Sequence, residues 1–246
     1  MVVNYTDQGW EIITQRAHGL LAAQIALHWR KKDRPGRWTE TLLAVADHDD
    51  AQIELEENED LLLTPAGGPT NFNMRLYNEA HCRRLLDFSL SKSRYIALLA
   101  SMHTVFLYKK EIATNPLVKP FIDQQLKNQA QWRQELGIGK KEAERIYGLL
   151  EWCDAFSLLL CRHEVQPEQR TIQISTGPDL QPYQLQQLPG DGLLTVTPWP
   201  FETADFEVRV EARLLPQLQF KSADEFKQVF LKTPVKEKSW RLSRAK

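Results

Sequence analysis

Cysteine is scarce in this sequence. Its 246 residues hold three, Cys82, Cys153 and Cys161, with no Cys-x-x-Cys pair. Neither a disulfide framework nor a zinc knuckle fits, and the three read as reduced thiols packed in helices. An excess of one charge is lacking too. Lys and Arg number 31 against 32 Asp and Glu, for a formal net charge of −1. No overall field draws the chain onto nucleic acid or an anionic membrane. Long apolar runs are missing as well. Stretches such as Leu42–Ala46 and Leu158–Cys161 fall far short of the ~20 residues that span a bilayer. The opening Met-Val-Val-Asn-Tyr-Thr-Asp shows neither the basic nor the apolar region of a secretion signal. A cytoplasmic protein with no membrane partner is the expectation.

Several catalytic signatures are also absent. There is no Glu-x-x-His, which removes the ferritin-like di-iron pattern. There is no His-Glu-x-x-His, Gly-x-Ser-x-Gly or Walker A motif. Gly137-Ile138-Gly139-Lys140-Lys141 lacks the first Gly and the Ser/Thr of a phosphate loop, and reads as a turn between helices.

What is present is an ordinary globular composition, 42% hydrophobic and 26% charged, long enough for one or two domains. Val2–Tyr5 and Trp10–Thr14 flank Asp7-Gln8-Gly9 as a β-hairpin. From Arg16 the period becomes helical, with His18, Leu21, Ala22, Ile25 and Trp29 on one face. Helices are predicted over Thr39–Asp50, Phe72–Ser91, Arg94–Lys110, Pro116–Leu136 and Lys140–Arg162. The acidic stretch Glu54–Asp60 reads as a solvated loop. After His163 the pattern alternates at Thr171–Ile174, Leu194–Thr197 and Phe206–Leu214, which predicts strands. A short helix over Ala223–Phe230 and a last strand at Ser239–Ser243 follow. The tail Lys232–Lys246, with six basic residues and one acid, reads as a solvated terminus rather than a nucleic-acid contact. The predicted class is α+β. A hairpin over 1–14 joins an antiparallel sheet from 165–246, and a mainly helical body occupies 15–164.

The candidate chemistry lies on apolar helix faces. His18 is in line with Leu21, Ala22 and Ile25. Asp49 has Val45 and Ile53 four residues to either side, and Asp154 has Leu150 and Leu158. His81 sits between Tyr77 and Leu85, and His103 among Leu99, Phe106 and Leu107. An ionised carboxylate on such a face costs several kcal/mol unless paired or bound to a cation. Two Asp and several His converging from separate helices would make a metal site with nitrogen and oxygen ligands. The alternatives are structural: Asp49 capping its helix end or paired with an Arg, Asp154 paired with Arg145 or Arg162, and histidines hydrogen-bonded in the core. His28 and His163 read as solvated surface residues.

The order of these residues is a His, then an adjacent His48-Asp49, then a distant Asp in Leu-Leu-Glu-Trp-Cys-Asp-Ala-Phe-Ser-Leu. It resembles the H…HD…D pattern of HD-domain metal-dependent phosphohydrolases. The stretches Ile13–His18, Ala46–Asp50, Ser101–Thr104, Trp152–Asp154 and Pro198–Phe201 also resemble a bacterial family, domain-of-unknown-function family 3891. The HD resemblance implies a helical HD-like bundle. It also implies that His18, His48, Asp49 and Asp154 ligate a divalent ion (Fe, Mn, Zn or Mg), with His81 and His103 in catalytic positions. The implied substrate is a small phosphorylated molecule, an ester or nucleotide. A catalytically silent binding protein or an iron-dependent oxygenase on the same scaffold are the other readings. No Lys or Arg stands at a motif position for the phosphate; Arg16, Arg83, Arg84 and Arg94 are candidates by proximity.

Overall fold

Thr14 turns the chain from strand to helix. In the computed structural model, which describes residues 1–50, 54–55, 62–190 and 192–245, β1 (Val2–Thr6) and β2 (Gly9–Ile13) form the hairpin. The Thr14 hydroxyl then accepts from the Ala17 N–H and caps α1 (Gln15–Leu27), satisfying one of the first-turn donors. α2 is Trp38–Ala46. Asn78 caps α3 (Glu79–Lys92) and Ser93 caps α4 (Arg94–Tyr108) by the same contact. α5 (Val118–Leu136) ends on Gly137 at φ 65°, the left-handed conformation glycine adopts at least cost. α6 (Lys140–Cys161) is the longest helix. Then come β3 (Thr171–Thr176), β4 (Pro182–Gln187), β5 (Leu194–Thr197), β6 (Asp205–Leu215), α7 (Ala223–Lys232) and β7 (Val235–Ser243).

The expected HD-like bundle closed by an antiparallel sheet is not what the chain builds. Its seven strands make one mixed, curled sheet in the order β1-β2-β6-β7-β5-β4-β3. β2 pairs antiparallel with β6, which brings the N-terminal hairpin into the sheet. β5 and β7 run parallel. A parallel pair needs a long crossover, here supplied by β6 and α7. α1 and α6 pack together, α1 against β6 and α6 against β3. The main core lies between them, with Leu21, Ile25, Leu150, Phe156, Leu185 and Val208 fully buried.

Four local expectations need correction. The tail is not a solvated end: β7 takes up most of it and makes nine antiparallel pairs with β6. Trp240 and Leu242 pack on the core at alternate positions. Trp29 lies beyond α1 and bridges Phe201. α3 begins at Glu79 rather than Phe72. β4 escaped notice because glutamines dilute its alternation of buried Tyr183 and Leu185. Most of the acidic stretch 54–60 lies outside the described residues; Glu54 itself is buried and accepts from the Gln15 backbone N–H. Among the described residues no helix is long and apolar enough to cross a membrane.

Candidate metal centre

α2 stops at Ala46, four residues before the predicted end. Asp47, Asp49 and Asp50 crowd that end, where the helix dipole disfavours acids. His48 and Asp49 therefore sit in a turn, closed by the Asp50 N–H bonding the Asp47 carbonyl. On a helix, adjacent side chains diverge by about 100°. In the turn both reach one point. Gly19 of α1 permits the approach: a Cβ there would lie 2.3 Å from the Ala46 carbonyl oxygen.

Four helices meet at that point. His18 comes from α1, His48 and Asp49 from the end of α2, His103 from α4 and Asp154 from α6. Asp49 Oδ2 lies 3.2 Å from His18 Nε2 and 3.7 Å from His48 Nε2. Asp154 Oδ1 lies 3.2 Å from His48 Nε2 and 3.9 Å from His18 Nε2. The ring centroids of His48 and His103 are 5.1 Å apart. Donor atoms of His18, His48 and Asp49, and of His48, His103 and Asp154, fall within 4.8 Å of one another and could hold a metal ion.

Hydrogen bonds on the outer side fix which way the rings face. His48 Nδ1–H donates to the Val45 carbonyl at 2.7 Å. The Ser157 hydroxyl donates to the Asp154 carbonyl, so its oxygen accepts from His18 Nδ1–H at 2.9 Å. Both rings thus point Nε2 inward, as in metal sites where the outer nitrogen is anchored. Gln15 Nε2 donates to Asp49 Oδ2 at 2.7 Å. One nitrogen of His103, Nδ1, meets the Tyr147 hydroxyl at 3.3 Å.

The cluster contains a close pair that either a proton or a cation can bridge. His48 Nε2 and Asp154 Oδ1 are buried and face each other at 3.2 Å, a contact that needs a proton on the ring or a cation between the two atoms. In a neutral ring with Nδ1 protonated, lone pair faces lone pair. The donor set, imidazole nitrogens and carboxylate oxygens, suits a divalent transition ion. The residues fit the group.

Charge follows the same geometry. Burial works against a charged His48, but Asp154 and then Asp49 outweigh it and raise the ring to about 10. Burial also opposes both carboxylates, yet the His48 charge holds Asp49 and Asp154 below the usual carboxylate range. Burial, then the His48 charge, push His103 down to about 4, so it is a neutral ring.

The structural alternatives for Asp154 do not occur. Arg145 pairs with Glu142 and Arg162 with Glu164. His81 is in neither metal-capable group but lines the cleft leading to the cluster, with Cys82, Leu85 and Tyr108. Of the guanidiniums proposed for a phosphate, Arg16 bonds the Asp50 carbonyl, Arg83 pairs with Glu79 and Arg94 with Glu135. Neither these nor Arg84 lines that cleft. His163 is anchored to Glu11 at 2.6 Å, and His28, expected in solvent, stacks on Phe206 at 3.9 Å. Gln15, Tyr147 and Ser157 were missed, although spacing held the signal. Ser157 is three residues after Asp154, Tyr147 seven before it, and Gln15 three before His18.

Fold and site together define an α+β protein with a buried His/Asp cluster whose geometry could hold a metal ion. A family model described as "Protein of unknown function (DUF3891)" matches residues 1–217, and the chain belongs to that family. No curated protein and no solved structure matches it.

Proposed function

We propose that the protein is a metal-dependent phosphohydrolase using the H…HD…D ligand order, with a small phosphate ester as substrate. The observation carrying this reading is the buried convergence of His18, His48, Asp49 and Asp154, whose ring Nε2 atoms and carboxylate oxygens lie 3.2–3.9 Å apart. His18, His48, Asp49 and Asp154 would hold the ion. When bound, such an ion polarises a phosphoryl oxygen and makes water a nucleophile at neutral pH. Val45, Ser157 and Gln15 keep the ligands aimed inward. His103, neutral and steadied by Tyr147, can hydrogen-bond the attacking water and orient it. His81 stands in the cleft where the leaving alcohol departs. Hydrolysis adds water across the P–O ester bond and gives phosphate and the alcohol.

Protein purified without chelator should carry about one divalent ion per chain by mass spectrometry. It should release phosphate from some member of an ester panel. His48→Ala and Asp154→Ala should lose both properties. Stoichiometric metal with no hydrolysis across the panel would defeat the enzymatic reading. One observation favours a second: Cys82, Leu85, Leu107 and Tyr108 wall the cleft and suit a substrate of low charge. Under that reading the same ligands serve an iron-dependent oxygenase, and Fe²⁺-loaded protein would consume O₂ with its substrate.

A further inference from the structure

Two cavities meet at His81. The inner one, about 30 Å³, is bounded by His48, Asp49 and His103. It has room for about two water-sized groups. The outer one, about 380 Å³, is lined by Leu63, Pro65, Met74, Leu76 and Tyr77 together with His81. The two share an aromatic wall as well, since the Tyr77 ring lies edge-on to Tyr108 of the inner cavity at 5.2 Å. Met74 and Leu76 are 58% and 82% exposed. A single exposed apolar side chain is ordinary. Two on one cavity wall beside a polar cluster mark a surface that an apolar group can cover. Among the described residues outside the His/Asp cluster, Arg75 alone brings a full positive charge to either lining. A polyphosphate would leave most of its charges unmatched there.

We propose that the two cavities are one substrate site, which takes the monophosphate ester of an apolar alkyl or aryl alcohol. The phosphoryl head lies at the mouth of the inner cavity, with the oxygens nearest the His/Asp cluster reaching into it. The apolar body fills the outer cavity against Met74, Leu76 and Tyr77. This rests on the metal-dependent reading of the cluster.

Calorimetric titration of the Mn²⁺-loaded protein with inorganic phosphate and with ethyl-, butyl- and hexylphosphonate tests it. These probes are not hydrolysed, so the readout is binding alone. Affinity should rise by about fourfold per added methylene in the wild type. The double variant Met74→Ser, Leu76→Ser changes only exposed side chains; it should flatten that series and leave Mn²⁺ affinity unchanged. Equal affinity for phosphate and all three phosphonates in Mn²⁺-loaded wild type would overturn this proposal and leave the metal reading standing. So would a wild-type slope that persists in the double variant. Wild type that takes up no Mn²⁺ would overturn the metal reading, and this one with it.

Discussion

Without an ion, as in excess chelator, the His48 ring holds a proton between Asp154 and Asp49, with its pKa at about 10. The folded value is raised, so this ring contributes stability fully below its ordinary value near 6.5 and loses it as pH climbs through about 10. The ion and the proton compete for one nitrogen. At pH 8 metal uptake should release about one proton from His48. Calorimetry in buffers of different ionisation heat measures this, and identical heats in HEPES and Tris would contradict it. Metal affinity should also rise with pH up to about 10. Asp154 offers a second prediction. In chelator, Asp154→Asn leaves the charged His48 ring facing Asp49 alone, which takes the trio from one excess negative charge to neutrality. The loss should be under about 1 kcal/mol, where breaking a structural buried pair costs about 3–5 kcal/mol. Melting with chelator and with Mn²⁺ checks both halves: little change in the first, and no metal-induced rise in the second.

The contact between α1 and the end of α2 sets the spacing of the ligands. Gly19→Ala would drive a methyl into the Ala46 carbonyl. Backbone on both sides resists, so the change should cost roughly 1–3 kcal/mol. It should also push His48 and Asp49 away from His18 and weaken Mn²⁺ binding. Denaturant unfolding and metal titration of the one variant read the two effects separately. Elements also decide what could be read from the sequence. His18, His103 and Asp154 lie in helices of strong period, and their polar side chains on apolar faces announced a shared interior. His48 and Asp49 were found by the same rule for a partly wrong reason. Their helix ends at Ala46, and the acids that end it were in plain view at 47, 49 and 50. The carbonyl of Val45 was not legible at all, because side-chain patterns say nothing of where a backbone oxygen points. The joining of the N-terminal hairpin to the later strands was legible, but β4 and the parallel β5–β7 pair were not, since side-chain alternation says nothing of strand direction.

At the scale of the molecule, β7 joins what would otherwise be two sheets, β1-β2-β6 and β5-β4-β3. The family match ends at residue 217, before this strand begins. A chain cut after residue 217 should therefore fail to fold, with far-ultraviolet circular dichroism lacking the native sheet and no cooperative melt. A cut chain that melts like the full one would show that β7 is dispensable.

Because β7 is made last among these strands yet lies in the middle of the sheet, the molecule has an exposed interval during its own synthesis. At roughly 5–20 residues per second, β5 and β6 wait a few seconds with bare edges before their partner exists. All four helices that carry the His/Asp cluster have been made by Cys161. The ion-binding half can thus begin to gather while the sheet is still in two parts. The hazard of misassembly for this protein is one of timing, concentrated between the sixth strand and the seventh.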